Sequence, residues 1–136
     1  MIDHYDCFFG GLETGRVDYY SRKRDPQVES DPSRAVEALR RVQAQVLTTQ
    51  GRLDDPLEVD TGGPDSGDGQ AGWAASSVRR ELAFVLSHTL HHLAQIRGMA
   101  IELGIELGED FGVAHSTLAV TGAAGASAAE PGRETT

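Results

Sequence analysis

The stretch whose reading decides the fold is Ser76-Ser77-Val78-Arg79-Arg80-Glu81-Leu82-Ala83-Phe84-Val85-Leu86-Ser87-His88-Thr89-Leu90-His91-His92-Leu93-Ala94-Gln95-Ile96. Val78, Leu82, Val85, Leu86, Leu93, Ile96 and Ala100 recur at the steps expected of a helix with one buried face. Ser76 or Ser77 can cap its start and Gly104 can stop it, so the pattern predicts the chain's longest helix, running to about Leu103. His88 and His92 are one turn apart and share a face. The line through them passes Glu81 below and Gln95 and Met99 above, beside the apolar stripe. His91 is turned roughly a sixth of a circle further from that stripe.

Working outward, Met1, Ile2, Tyr5, Phe8, Phe9 and Leu12 predict a short first helix, weakened by Gly10 and Gly11 and stopped at Gly15. It has no N-cap, and its stripe already runs at Met1, which reads as an N-terminally shortened helix. Arg16 to Glu29 reads as a surface connection. Ser30 or Asp31 then caps a helix opened by Pro32, carried by Val36, Leu39, Val42 and Val46 and closed near Gly51. From Gly51 to Ala75, Gly, Asp and Pro dominate, predicting a long acidic loop with room for one short strand at Leu57-Glu58-Val59-Asp60. The Ala/Gly/Ser/Thr tail from Ala119 has too little apolar bulk to order itself.

With 136 residues the chain suits one domain, and its 39% hydrophobic and 24% charged residues are those of a folding sequence. A net charge of -9 repels a phosphate backbone, which excludes nucleic acid as a partner. One cysteine, Cys7, allows no internal disulfide, and the sequence shows neither a cationic leader nor an apolar membrane-spanning run. These features predict a cytoplasmic protein with no membrane partner.

Two histidines at the spacing of His88 and His92 can hold one metal ion, although the same spacing occurs among packed or hydrogen-bonded histidines. A catalytic metal takes three protein ligands and an open position. Thr89, where a zinc-protease helix has glutamate, argues against peptide hydrolysis. His4, at the margin of the first helix's stripe, is the preferred third ligand over Cys7 and His115, with a solvated boundary histidine as the alternative. Glu81 could orient a histidine or act as a base, against the commoner reading of a surface glutamate.

Ser76 to Ile96 resembles the last long helix of DinB-like proteins. The resemblance extends to Asp3-His4-Tyr5, to Gly11-Leu12-Glu13-Thr14-Gly15-Arg16-Val17-Asp18-Tyr19 and to Phe111-Gly112-Val113-Ala114-His115-Ser116-Thr117-Leu118, with His115 in place of proline. It implies an all-α fold over residues 1–118, an up-down helical bundle lacking the first family helix and part of the second, ahead of the tail over 119–136 that composition predicts to be disordered. It also implies a divalent metal, Zn, Ni or Fe, held by His88, His92 and a histidine of an earlier helix, for which His4 would substitute. The implied chemistry is metal activation of a low-molecular-weight thiol, or of water, for attack on a small-molecule substrate, by a bacterial S-transferase, isomerase or hydrolase. The alternative is a non-catalytic bundle or degenerate paralogue with structural histidines. In either case a homodimer would cover the apolar surface around Leu86, Leu90 and Ile101.

Overall fold

Helix α1 (Ile2–Thr14) turns Tyr5, Phe8 and Gly11 inward. It ends at Gly15, whose φ of 78° is open to glycine, with the Gly15 N–H donating to the Gly11 carbonyl at 2.8 Å. Strand β1 (Arg16–Val17) follows at once. A Cβ at Gly11 would collide with the Val17 side chain and lie 3.0 Å from the Arg16 carbonyl oxygen, so the missing side chain lets α1 lie against β1. This computed structural model describes residues 1–62, 72–114 and 116–120. Within it the chain forms two units, Met1–His88 and Thr89–Thr136.

In the first unit, Asp25 caps a short helix α2 (Pro26–Ser30), accepting from the Gln27 N–H at 2.9 Å. Asp31 caps α3 (Pro32–Thr48), accepting from the N–H groups of Ser33 at 2.8 Å and Arg34 at 3.4 Å. Proline at the first position suits this start because its missing N–H would have had no helical partner. A 3-10 turn (Gln50–Arg52) leads to β2 (Pro56–Asp60), and β3 (Trp73–Ser77) returns beside it. The sheet order is β1-β2-β3, with β1 parallel to β2 and β2 antiparallel to β3. The parallel pair, Arg16 opposite Glu58 and Val17 opposite Val59, requires a crossover, which α2 and α3 supply.

This mixed sheet overturns the all-α expectation and with it the incomplete up-down bundle. Its strands left weak signals: β1 is two residues long, and β3 is Trp-Ala-Ala-Ser-Ser, with no β-branched residue. Ser76 and Ser77, expected as helix caps, lie in β3, although the Ser77 hydroxyl still accepts from the Arg80 N–H at 3.3 Å. The connection expected after α1 likewise contains β1 and α2.

The core of this unit gathers Tyr5 and Phe8 from α1, Val17 from β1, Val42 from α3, Leu57 and Val59 from β2, and Val78 and Val85 from the first turns of α4 (Val78–Glu102). Leu57 and Val59 alternate with exposed Pro56 and Glu58, the period-two pattern of a strand with one buried face. Leu86, expected in the buried stripe of α4, is exposed.

In the second unit, α4 closes at Gly104 (φ 68°), with the Ile105 N–H donating to the Ala100 carbonyl at 2.8 Å. Arg97 donates to the carbonyls of Glu109 at 2.8 Å and Phe111 at 3.1 Å. Gly112 (φ 72°) lies so close to the Leu93 backbone that a Cβ would come within 2.8 Å of it. Ala100 is buried, whereas Ile96 is exposed against expectation. The Gly/Asp-rich segment 63–71, His115 and the tail residues 121–136 lie outside the described residues, while residues 116–120 are helical. Among the described residues no helix is long and apolar enough to cross a membrane.

Candidate functional site

Glu81 falls three residues after Val78 and four before Val85, on the inward face of α4, and is 0% exposed. A carboxyl group in such a place must find donors, because burying it unpaired costs several kcal/mol, of order the 3–5 measured when buried pairs are broken. It finds three. The Tyr19 hydroxyl donates to Oε2 at 3.0 Å, and Ser76 Oγ and Arg80 Nη1 both donate to Oε1. Tyr19 comes from the connection after β1 and Ser76 from β3, so one carboxyl group ties three segments together.

Tyr19 also joins this anchor to a cluster of four rings. His4 and His88 have ring centroids 4.0 Å apart, His4 and Tyr19 5.8 Å, Tyr19 and Phe84 4.9 Å, and Phe84 and His88 6.3 Å. Each ring touches two others, which closes a circuit of packed aromatic surface within the first unit. Sides this short leave no room for a ligand between the rings, so a guest must lie on top of them. Phe84 is the exposed member of the circuit, at 42%. The rings therefore form a platform linked through Tyr19 to a buried carboxyl group.

Charge is arranged around His4. Its Nδ1 lies 3.3 Å from Asp3 Oδ1, and Arg22 pairs with Asp3 Oδ2 at 3.2 Å. Burial holds the His4 imidazole below its ordinary value, opposed by the hydrogen bond and charge of Asp3. Burial of Asp3 works the other way, yet the Met1 amino group and His4 outweigh it and bring its carboxyl down to about 2. The Tyr19 phenol is pushed up by burial first and then by the negative charge of Glu81, so it stays protonated as the donor. Cys7 is half-buried, and burial, then Asp18, Asp3 and Asp6, raise its thiol, which makes it a poor nucleophile at neutral pH.

The residues singled out in sequence thus divide. His4, Glu81 and His88 come together in the first unit. His92 belongs to the second, where its ring lies edge-on to His91 at 5.7 Å. His115 lies outside the described residues. Among the described residues no group of three or more His, Cys, Asp or Glu side chains is arranged to hold a metal ion. Tyr19, Ser76 and Phe84 were not foreseen as site residues. The signal for partners was Glu81 itself, an acidic residue in register with Val78 and Val85.

The chain is similar to FK506-binding protein 5 of Rhizopus delemar. The two are 34% identical over 103 residues, which cover 75% of this chain and 26% of the relative. The chain therefore spans about a quarter of that protein's length. No protein-family model matches the chain. No solved structure matches it.

These findings correct the resemblance drawn from the sequence. The similarity points to a protein of another kind than the DinB-like family, and the mixed sheet is not a helical bundle. Among the described residues His4, His88 and His92 are not grouped as metal ligands, and the metal-dependent thiol transferase or hydrolase implied by the family resemblance falls with that resemblance. The non-catalytic helical-bundle alternative falls with the fold, and so do the family helices inferred to be missing.

Proposed function

We propose that the Met1–His88 unit is a small-molecule-binding module that takes an apolar, ring-containing ligand on the platform of His4, Tyr19, Phe84 and His88, of the class represented by FK506. The observation that carries this reading is the closed circuit of four rings with Phe84 exposed, tied through the Tyr19 hydroxyl to the buried, hydrogen-bonded Glu81 carboxyl group. Small-molecule sites combine apolar and aromatic surface with a few fixed polar groups, and this cluster has both. The name of the Rhizopus delemar relative supports the choice of ligand.

Packing a ligand against Phe84 would remove aromatic surface from water, worth about 25 cal/mol for each Å² of apolar area. The test is calorimetric titration of the full chain with FK506, alongside Phe84→Ala. Binding by the wild type, weakened at least about tenfold in the variant, as for an aromatic anchor, is the expected result. No heat of binding, or equal affinity in both proteins, would overturn the reading.

The ring platform supports a catalytic extension of the same reading. An Xaa-Pro bond interchanges between cis and trans slowly because of its partial double bond, and a prolyl ring is a compact apolar guest for a ring platform. Cis–trans exchange of a short Xaa-Pro peptide, followed with and without the chain, tests this peptidyl-prolyl isomerase form. An acceleration that Phe84→Ala abolishes is expected, and an unchanged exchange rate excludes it.

A further inference from the structure

We infer that Glu81 is a positioning residue: by accepting the Tyr19 hydroxyl it fixes the Tyr19 ring against Phe84 and so sets the shape of the platform. The inference rests on the proposed ligand site for its functional meaning, but its geometry stands in the ligand-free chain. Tyr19 lies in a connection rather than in a helix or strand, so its own backbone does not hold the ring in place. Its hydroxyl donates to Glu81 Oε2 at 3.0 Å, while the ring packs on Phe84 at 4.9 Å and on His4 at 5.8 Å.

Packing alone does not call for an acid at position 81. An apolar side chain between Val78 and Val85 would fill the space without the cost of taking a carboxyl group out of water, and replacing buried charge by apolar side chains is often neutral or stabilising. What the carboxyl group adds is direction. Ser76 and Arg80 hold Oε1, which leaves Oε2 turned to Tyr19. A phenol anchored at its hydroxyl can neither swing into solvent nor slide off its neighbour, so Phe84 keeps its partner and its exposed ring keeps its angle.

The experiment compares Tyr19→Phe, Glu81→Gln and Glu81→Leu in the full chain. Aromatic NMR resonances of residue 19 and of Phe84 are followed without ligand, and FK506 affinity is measured separately. Glutamine retains an oxygen that can accept from Tyr19, so Glu81→Gln should keep the wild-type ring shifts. Tyr19→Phe and Glu81→Leu should both move them toward the values of free aromatic side chains. FK506 affinity should fall about tenfold in Tyr19→Phe, roughly 1.4 kcal/mol. The double variant of Tyr19→Phe with Glu81→Leu should bind no more weakly than the worse single one, because both remove the same contact.

Wild-type Phe84 ring shifts in folded Tyr19→Phe would overturn the inference, whatever FK506 does. If the shifts move as stated but the wild type does not bind FK506, the positioning role stands and the ligand reading falls. Should Glu81→Leu fail to fold, Tyr19→Phe and its contrast with Glu81→Gln still decide the matter.

Discussion

The imidazoles of His4 and His88 lie with ring centroids 4.0 Å apart and tilted by 40°, one carried by α1 and the other by α4. Around His4 stand Asp3, Arg22 and the Met1 amino group, with the Tyr19 ring stacked on it at 5.8 Å. The stability of this corner of the first unit is therefore coupled to pH.

Because the folded His4 imidazole is held below its ordinary value of 6.5, the unfolded chain takes up the proton more readily. The contribution is complete above 6.5 and is lost as pH falls from there toward the lower folded value. Asp3 adds a second loss as pH falls from 3.8 toward about 2. Urea midpoints measured at a series of pH values should drop in two stages on acidification. His4→Phe, which keeps a ring at the position, should remove the first stage and shrink the second, because His4 also helps to lower Asp3. A wild-type midpoint that stays level below pH 6.5 would contradict the assignment.

Two neighbouring glycines of α1 should respond in opposite directions to alanine. At Gly10 nothing lies within 4 Å of the added Cβ, so Gly10→Ala gains helix propensity and stabilises by up to ~1 kcal/mol. At Gly11 the Cβ meets Val17, and overpacking of about 1–3 kcal/mol outweighs the same propensity gain. Denaturant unfolding of the two variants side by side checks the sign of each. A stabilised Gly11→Ala would mean that α1 does not lie against β1 as described.

Asp31 supplies an acceptor to two otherwise unpaired N–H groups of α3. Asp31→Ala should cost about 1 kcal/mol, and Asp31→Ser should recover most of it, since serine caps nearly as well. Thermal or urea unfolding reads both. Equal loss in the two variants would point to a role other than capping.

The helices were legible where local chemistry spells them. Asp31 followed by Pro32 marks the start of α3, Gly15 marks the end of α1 and Gly104 that of α4, each through backbone geometry that a few adjacent residues determine. The sheet was not legible, because its identity lies in pairing between distant segments. Arg16–Val17 is too short to show a period, and Glu58 opposite Arg16 becomes meaningful only once the register is known, when their side chains prove to pair at 2.8 Å. The site was half legible. His4, Glu81 and His88 stand out by residue type and spacing, but spacing along α4 alone also joined His92 to them. Tyr19 and Ser76 reach Glu81 from outside the helix, through contacts that no periodicity encodes.

The most direct test of the ring platform as a ligand site is an aromatic NMR titration of the full chain with FK506, with the rings of His4, Tyr19, Phe84 and His88 assigned. Saturable shifts that are largest on these four rings, and lost in Phe84→Ala, are the predicted result. Spectra that do not change, or shifts confined to residues away from the platform, would contradict it.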